Sequence, residues 1–124
     1  MTRAEVDALC AAHPGATPPA PGELVAWKVG GKMFCCFSGE AATPSAPTDG
    51  ASGFSVKCPD VETAAMLIDA GVARRAPYFH RSWVRVPFEG TDPGEAAHRI
   101  AVSYDTIRGG LTKKAQAALP PREA

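Results

Sequence analysis

The chain has 124 residues, of which 45% are hydrophobic and 21% charged, and its thirteen basic and thirteen acidic side chains leave a formal net charge of zero. This length suits one domain with a single core. Zero net charge excludes an indiscriminate polyanion binder, so any affinity for nucleic acid has to come from a local cluster of bases. Because no apolar run approaches the roughly 18 residues of a membrane helix and the N-terminus lacks a signal sequence, we expect a cytoplasmic monomer.

The N-terminal segment predicts a helix followed by a connector. Thr2 and Glu5 form a capping box, which predicts a helix near residues 2–12. The Pro/Gly-rich stretch 14–22 can form neither a helix nor a central strand.

A β-hairpin over residues 24–37 is the clearest local prediction. Gly30 and Gly31 occupy a two-residue turn, whose positive φ angles glycine tolerates. The simplest register pairs three sets of residues across the two strands: Trp27 with Phe34, Val25 with Cys36, and Lys28 with Met33.

The middle of the chain predicts a loop, a strand and a second helix. Residues 38–53 are rich in Ala, Pro, Ser, Thr and Gly and predict a mobile loop. The alternation over 53–58 predicts a third strand with Lys57 on its polar face. Asp60 can cap a helix over 60–70.

Two more strands and a long helix follow. Residues 76–79 predict a short extended piece, and 83–88 predict a longer strand with Trp83 and Arg85 on one face. Asp92, followed by proline, is typical of the start of a helix, here over 92–108.

The predicted order, α-β-β-β-α-β-β-α, indicates an α+β domain spanning residues 1–111. Its antiparallel sheet has about five strands and helices packed on one face, which would leave the other face in water. Residues 112–124 predict a marginal helical turn and a fraying tail.

Several segments of the chain resemble the MmcQ/YjbR family in their order and separation. They are WKVGGKMF at 27–34, FSVKC at 54–58, RSWVRV at 81–86, and SYDTIRGGL with TKK over 103–114. The resemblance implies a CyaY-like fold in a small bacterial protein that binds DNA and is not an enzyme. The chain departs from the family pattern in its longer 38–53 loop and in Thr112, which stands where the family usually has proline.

Residues 71–88 contain the candidate binding surface. Four arginines and a histidine alternate there with aromatic side chains, and no acid occurs between Asp69 and Glu89. Such a surface can hold phosphates and stack bases, although bases also protect an exposed sheet edge from pairing. The candidate nucleic-acid-binding residues are Arg74, Arg75, His80, Arg81, Trp83 and Arg85, with additional phosphate contacts at Lys28, Lys32, Lys57, Lys113 and Lys114.

Catalytic and metal sites have no support in the sequence. CxxC, GxSxG and HExxH motifs are absent, and Cys35 and Cys36 should point to opposite faces of a strand. We therefore predict four buried free thiols, no enzyme activity, no cofactor and no metal. Iron binding is rejected because the first helix offers only Glu5 and Asp7.

A second interpretation of the chain stays open. In it, the protein is an adaptor whose open sheet face binds another protein or a small molecule. Trp83 has two alternatives of its own, because an aromatic side chain in a sheet is more often part of the core than a stacking platform.

Overall fold

The computed structural model describes residues 1–20, 25–37, 53–77 and 79–121. The predicted 38–53 loop therefore lies outside the described residues, apart from Gly53. The elements in chain order are α1 (Arg3–Ala11), β1 (Ala26–Val29), β2 (Lys32–Phe37), β3 (Gly53–Lys57), α2 (Val61–Asp69), β4 (Arg74–Arg75), β5 (Trp83–Pro87), α3 (Pro93–Gly109) and α4 (Lys113–Ala117).

The strands form one antiparallel sheet in the order β1-β2-β3-β5-β4. This confirms the α+β class and the five-stranded antiparallel sheet. The helices pack against one face, with α3 crossing β1, β2 and β3 and α2 lying against β5 and β4. None of the helices in the described ranges is long and apolar enough to cross a membrane.

The first three helices begin where their capping residues predict. Thr2 and Glu5 form the reciprocal capping box of α1. Asp60 accepts a hydrogen bond from the Thr63 amide at 2.7 Å, and hydrogen bonds from the Thr63 side chain and amide lower the pKa of the Asp60 carboxyl. Asp92 accepts bonds from two amides at the start of α3. Each side chain satisfies amides that the first helical turn leaves without a partner.

The hairpin turns at Gly30 and Gly31, with φ angles of 57° and 81°. Its predicted register is only partly correct. Lys28 pairs with Met33 as expected, but a shift between Trp27 and Lys28 places Trp27 opposite Cys35 and Ala26, not Val25, opposite Cys36. A β-bulge of this kind sets two residues of one strand against one residue of the other.

The bulge follows from the packing of Phe34. Its ring meets the ring of Tyr104 edge-on, with centroids 5.4 Å apart. Its carbonyl accepts a hydrogen bond from the Ser103 hydroxyl at 2.6 Å, and that hydroxyl accepts one from the Lys57 amide at 2.9 Å. Ser103 thus joins β2 and β3 just beyond their last paired residues.

The main core lies between the helices and the covered face of the sheet. Its fully buried members from the sheet include Phe54, Val56, Val84 and Val86, and Ile100 of α3 packs against them. The Cys35 side chain belongs to this core, whereas Cys36 is buried outside it. The two cysteines therefore lie on opposite faces, as the alternation of a strand requires.

The face of the sheet turned away from the helices is not open to water at its centre, contrary to the prediction. Ala26, Cys36 and Ser55 on this face are each at most 2% exposed. One reason is that Arg85 lies across the sheet: a Cβ at Gly53 would be only 2.8 Å from its Cγ. A long side chain can cover short neighbours with its apolar stem while its charged end reaches outward.

One strand differs from its predicted boundaries. The short extended piece expected at 76–79 is instead β4 at Arg74–Arg75, because the Phe79 amide donates to the Ala76 carbonyl and closes a turn. Beyond residue 111, the chain forms α4 at Lys113–Ala117, where the sequence predicts a helical turn. Leu119 packs on the core, and Arg108 donates to the Pro120 carbonyl at 2.7 Å.

Candidate nucleic-acid interface

Five of the eleven predicted binding residues lie at one edge of the sheet. Arg74 and Arg75 form the outermost strand β4, while His80 and Arg81 lie in the turn between β4 and β5. These four side chains are exposed, and Arg85 of β5 lies directly opposite Arg74 across the two strands. We call these five residues the basic edge.

Hydrogen bonds to the backbone hold the turn of the basic edge in place. The guanidinium of Arg75 donates to the carbonyls of Ala76 at 3.2 Å and Phe79 at 3.3 Å. The Ser82 amide donates to Nδ1 of His80 at 3.1 Å, which fixes that ring nitrogen as an acceptor. The exposed end of His80 is therefore Nε2, carrying its proton in the neutral ring.

Lys57 extends the positive charge from the basic edge onto β3. Its ammonium donates to the Ser82 hydroxyl at 2.6 Å, and the same hydroxyl lies 2.9 Å from Nδ1 of His80. Lys57 and Trp83 are paired across β3 and β5. This predicted residue is thus connected to the basic edge by a chain of hydrogen bonds.

The carboxylates near the basic edge lie beside Arg74. Within the described part of the chain, no carboxylate forms an ion pair with Arg75 or Arg81. Acidic side chains appear just beyond the end of β5. Glu89, Asp92 and Glu95 line a hollow of about 450 Å³ there, together with Arg74. This hollow limits how far a polyanion could follow the edge in that direction.

Trp83 is placed as a packing residue. Its side chain is 9% exposed, and its ring lies against Phe79 with centroids 4.9 Å apart and an angle of 33° between the planes. A base needs an open ring face on which to stack. The half-buried Phe79 offers more open surface than Trp83, although the sequence singled out Trp83.

The other predicted lysines do not join the basic edge. Lys28 lies on β1, at the opposite edge of the sheet, roughly 19 Å away by the usual strand spacing. Lys32 begins β2 next to the hairpin turn and lines a groove with Lys57. Lys113 and Lys114 are exposed in the first turn of α4.

One residue of the site has no signal in the sequence. Ser82 is 3% exposed and receives the hydrogen bond of Lys57, so it organises the turn from beneath. A serine between one charged and one aromatic neighbour carries no sequence pattern that would mark it as part of a site. Its role depends on the pairing of β3 with β5. The sequence predicts both strands but does not indicate that they pair with each other.

Comparison with protein families identifies the chain. The sequence profile of the YjbR family matches residues 4–106, which include all five strands and the first three helices almost completely. No curated protein and no solved structure shows a significant match. The matched segment contains the basic edge, and it confirms the resemblance carried by the WKVGGKMF and RSWVRV segments. The chain therefore belongs to the YjbR family.

Proposed function

We propose that this protein binds DNA without catalysing a reaction, by holding phosphates at the basic edge. The observation that carries the proposal is the placement of Arg74, Arg75, His80, Arg81 and Arg85 on β4, the following turn and β5, at one edge of a protein with no net charge. Clustered guanidinium groups hold phosphate oxygens with paired, charge-assisted hydrogen bonds. Binding of this kind releases counterions and weakens steeply as salt is added.

The arrangement favours contacts with the backbone over contacts with bases. The basic edge has no described helix that could enter a major groove, and the ring of Trp83 is packed against Phe79. Phosphate contacts alone position a protein on DNA but do not distinguish sequences. We therefore expect weak binding with little sequence preference.

The hydrogen-bonded group formed by Lys57, Ser82 and His80 deserves comparison with a nucleophilic site. A nucleophilic serine has to reach a substrate and pass its proton to a base. The Ser82 hydroxyl does lie 2.9 Å from Nδ1 of His80, but Ser82 is 3% exposed, so a substrate could not reach that hydroxyl. This geometry supports a structural role for Ser82 and a function without catalysis.

The test is to map the binding surface by nuclear magnetic resonance. A short DNA duplex is added at low salt to the isotope-labelled protein, and the amide shifts are followed. We expect the shifts to be concentrated on β4, on the turn 79–82 and on β5, with Lys28 of β1 unaffected. Shifts centred on β1, or the absence of any saturable shift, would refute the proposal.

The adaptor interpretation makes a different prediction in the same experiment. A protein or small molecule held by shape and apolar contact should respond little to salt. If duplex DNA causes no shifts, the basic edge is a protected sheet edge, because two arginines on a two-residue edge strand also discourage pairing with other strands.

A further inference from the structure

A groove separate from the basic edge lies between the hairpin turn and the C-terminal end of α3. It has a volume of about 470 Å³ and is lined by residues of β2, β3, α3 and α4. This volume falls within the range of small-molecule sites, which is about 300–1,000 Å³. Its lining joins an apolar wall to two lysines, Lys32 and Lys57.

The apolar wall is formed by Ile107 and Leu111, with Ala115 beside them. Leu111 packs directly over the hairpin, since a Cβ at Gly30 would lie only 2.5 Å from its Cδ1. The Leu111 carbonyl accepts a hydrogen bond from the Gln116 side chain at 2.9 Å, which ties α4 to this corner. The wall is therefore held in place by the hairpin on one side and by α4 on the other.

Among the described residues that line the groove, the charged side chains are both lysines. The hydroxyl of Thr106 donates to the Val102 carbonyl of its own helix at 2.7 Å, and the hydroxyl of Thr112 accepts the Ala115 amide at 3.1 Å. Lys57 uses one of its three ammonium protons on Ser82. The lining contains no aspartate or glutamate among the described residues.

We infer that this groove binds a small organic carboxylate with an apolar body. The positive charge of the lining lysines complements a carboxylate, while Ile107 and Leu111 cover its hydrocarbon part. Inorganic phosphate fits less well, because it has no hydrocarbon part for Ile107 and Leu111 to cover. An organic cation is opposed by both lysines.

This inference does not depend on DNA binding. The two surfaces share Lys57 alone, and the arginines of the basic edge do not line the groove. Replacement of Arg74, Arg75, Arg81 and Arg85 by alanine should therefore leave carboxylate binding unchanged. A failure of DNA binding and a failure of carboxylate binding are thus separate results.

The test uses octanoate as the probe, with octan-1-ol and octylammonium as matched compounds of the same chain length. Amide shifts of Gly30, Gly110 and Leu111 are followed during each titration. We expect saturable binding of octanoate near the millimolar range, which is reasonable for a ligand of this size. The alcohol and the cation should bind at least about tenfold more weakly, because neither provides a negative charge.

Matched lysine variants test whether the charge of Lys32 contributes to octanoate binding. Lys32→Met should weaken octanoate binding about fivefold to tenfold, whereas Lys28→Met, on the far strand β1, should leave it unchanged. Melting temperatures are measured for both variants to verify folding, and Lys32→Gln provides a second variant if Lys32→Met does not fold. Equal binding of octylammonium, equal effects of the Lys28 and Lys32 changes, or no saturable shift with octanoate would overturn the inference.

Discussion

The ammonium of Lys57 and the hydroxyl of Ser82 are joined by a 2.6 Å hydrogen bond between β3 and the turn that carries His80 and Arg81. The same hydroxyl lies 2.9 Å from Nδ1 of His80. This bond places a lysine beneath the exposed bases of the turn. The basic edge is consequently anchored on the central strand β3, two positions inside the edge of the sheet.

Loss of the Ser82 hydroxyl should loosen this anchor. Ser82→Ala leaves the Lys57 ammonium without its partner, so we expect the free energy of unfolding to fall by about 1 kcal/mol. Chemical denaturation measures this change. Thr17→Ala is a suitable control, because the Thr17 hydroxyl is exposed and makes only a 3.4 Å bond to the Lys28 carbonyl, and it should cost less. Equal effects of the two changes would contradict the assignment of Ser82 as an anchor.

Trp83 should contribute to stability more than to DNA binding. Trp83→Ala removes a ring that is 9% exposed and packed on Phe79, so we expect a loss of about 3 kcal/mol in the free energy of unfolding. Trp83→Phe keeps an aromatic ring in place and should leave the affinity for single-stranded DNA within about twofold of the wild type. A stable Trp83→Phe variant with an affinity at least tenfold lower would show that the indole stacks on a base.

The elements of this fold are largely predictable from the sequence, since their signals are local. Asp60, Asp92 and the Thr2–Glu5 pair define helix starts through their own side chains. The turn at Gly30 and Gly31 requires positive φ angles that two consecutive glycines provide. In each case, the deciding residues lie within a few positions of the element that they specify.

The errors arose where distant residues decide the outcome. The bulge at Phe34 depends on Tyr104 and Ser103, some seventy positions later in the chain, so the local pattern predicts an unbulged register. Arg74 and Arg75 form β4 because Arg85 and Val84 are available as pairing partners.

In the candidate site too, features set by nearby residues are predictable from the sequence, and features set by distant residues are not. The acid-free composition of residues 71–88 identifies the arginines of the basic edge, since they are close in sequence. The grouping of Lys57 with Ser82, and the separation of Lys28 by the width of the sheet, depend on strand order. The groove beside Ile107 and Leu111 joins three distant segments, and no pattern in the sequence indicates it.

The cysteines should be poorly reactive in the folded protein. Burial raises the pKa of the Cys35 thiol well above its usual value, and its hydrogen bond with Cys10 raises it further. Burial also raises the pKa of Cys36, although the positive charge of Arg85 partly opposes this effect. Since the thiolate is the reactive form, a thiol reagent at about pH 8 should label the native protein slowly.

The number of labelled thiols checks this prediction. In guanidinium chloride all four cysteines should react, because each is a free thiol in the structure. Rapid labelling of Cys35 in the native protein would contradict its burial. Only two reactive thiols after unfolding would indicate a disulfide.

The central claim is that the basic edge binds DNA through phosphate contacts, and the salt dependence of binding tests it most directly. The affinity for a labelled duplex is measured at several salt concentrations for the wild type, for the variant with Arg74, Arg75, Arg81 and Arg85 replaced by alanine, and for Lys28→Ala. We expect micromolar or weaker dissociation at physiological salt, because the protein has no net charge.

The logarithm of the wild-type affinity should fall linearly with the logarithm of the salt concentration. Each phosphate contact that the arginine variant loses should reduce this slope by roughly one unit, while Lys28→Ala should leave the slope unchanged. An Arg75→Ala, Arg81→Ala double variant serves if the quadruple variant does not fold, and it should reduce the slope by about two units. No binding at low salt, or a folded arginine variant with the wild-type slope, would contradict the account.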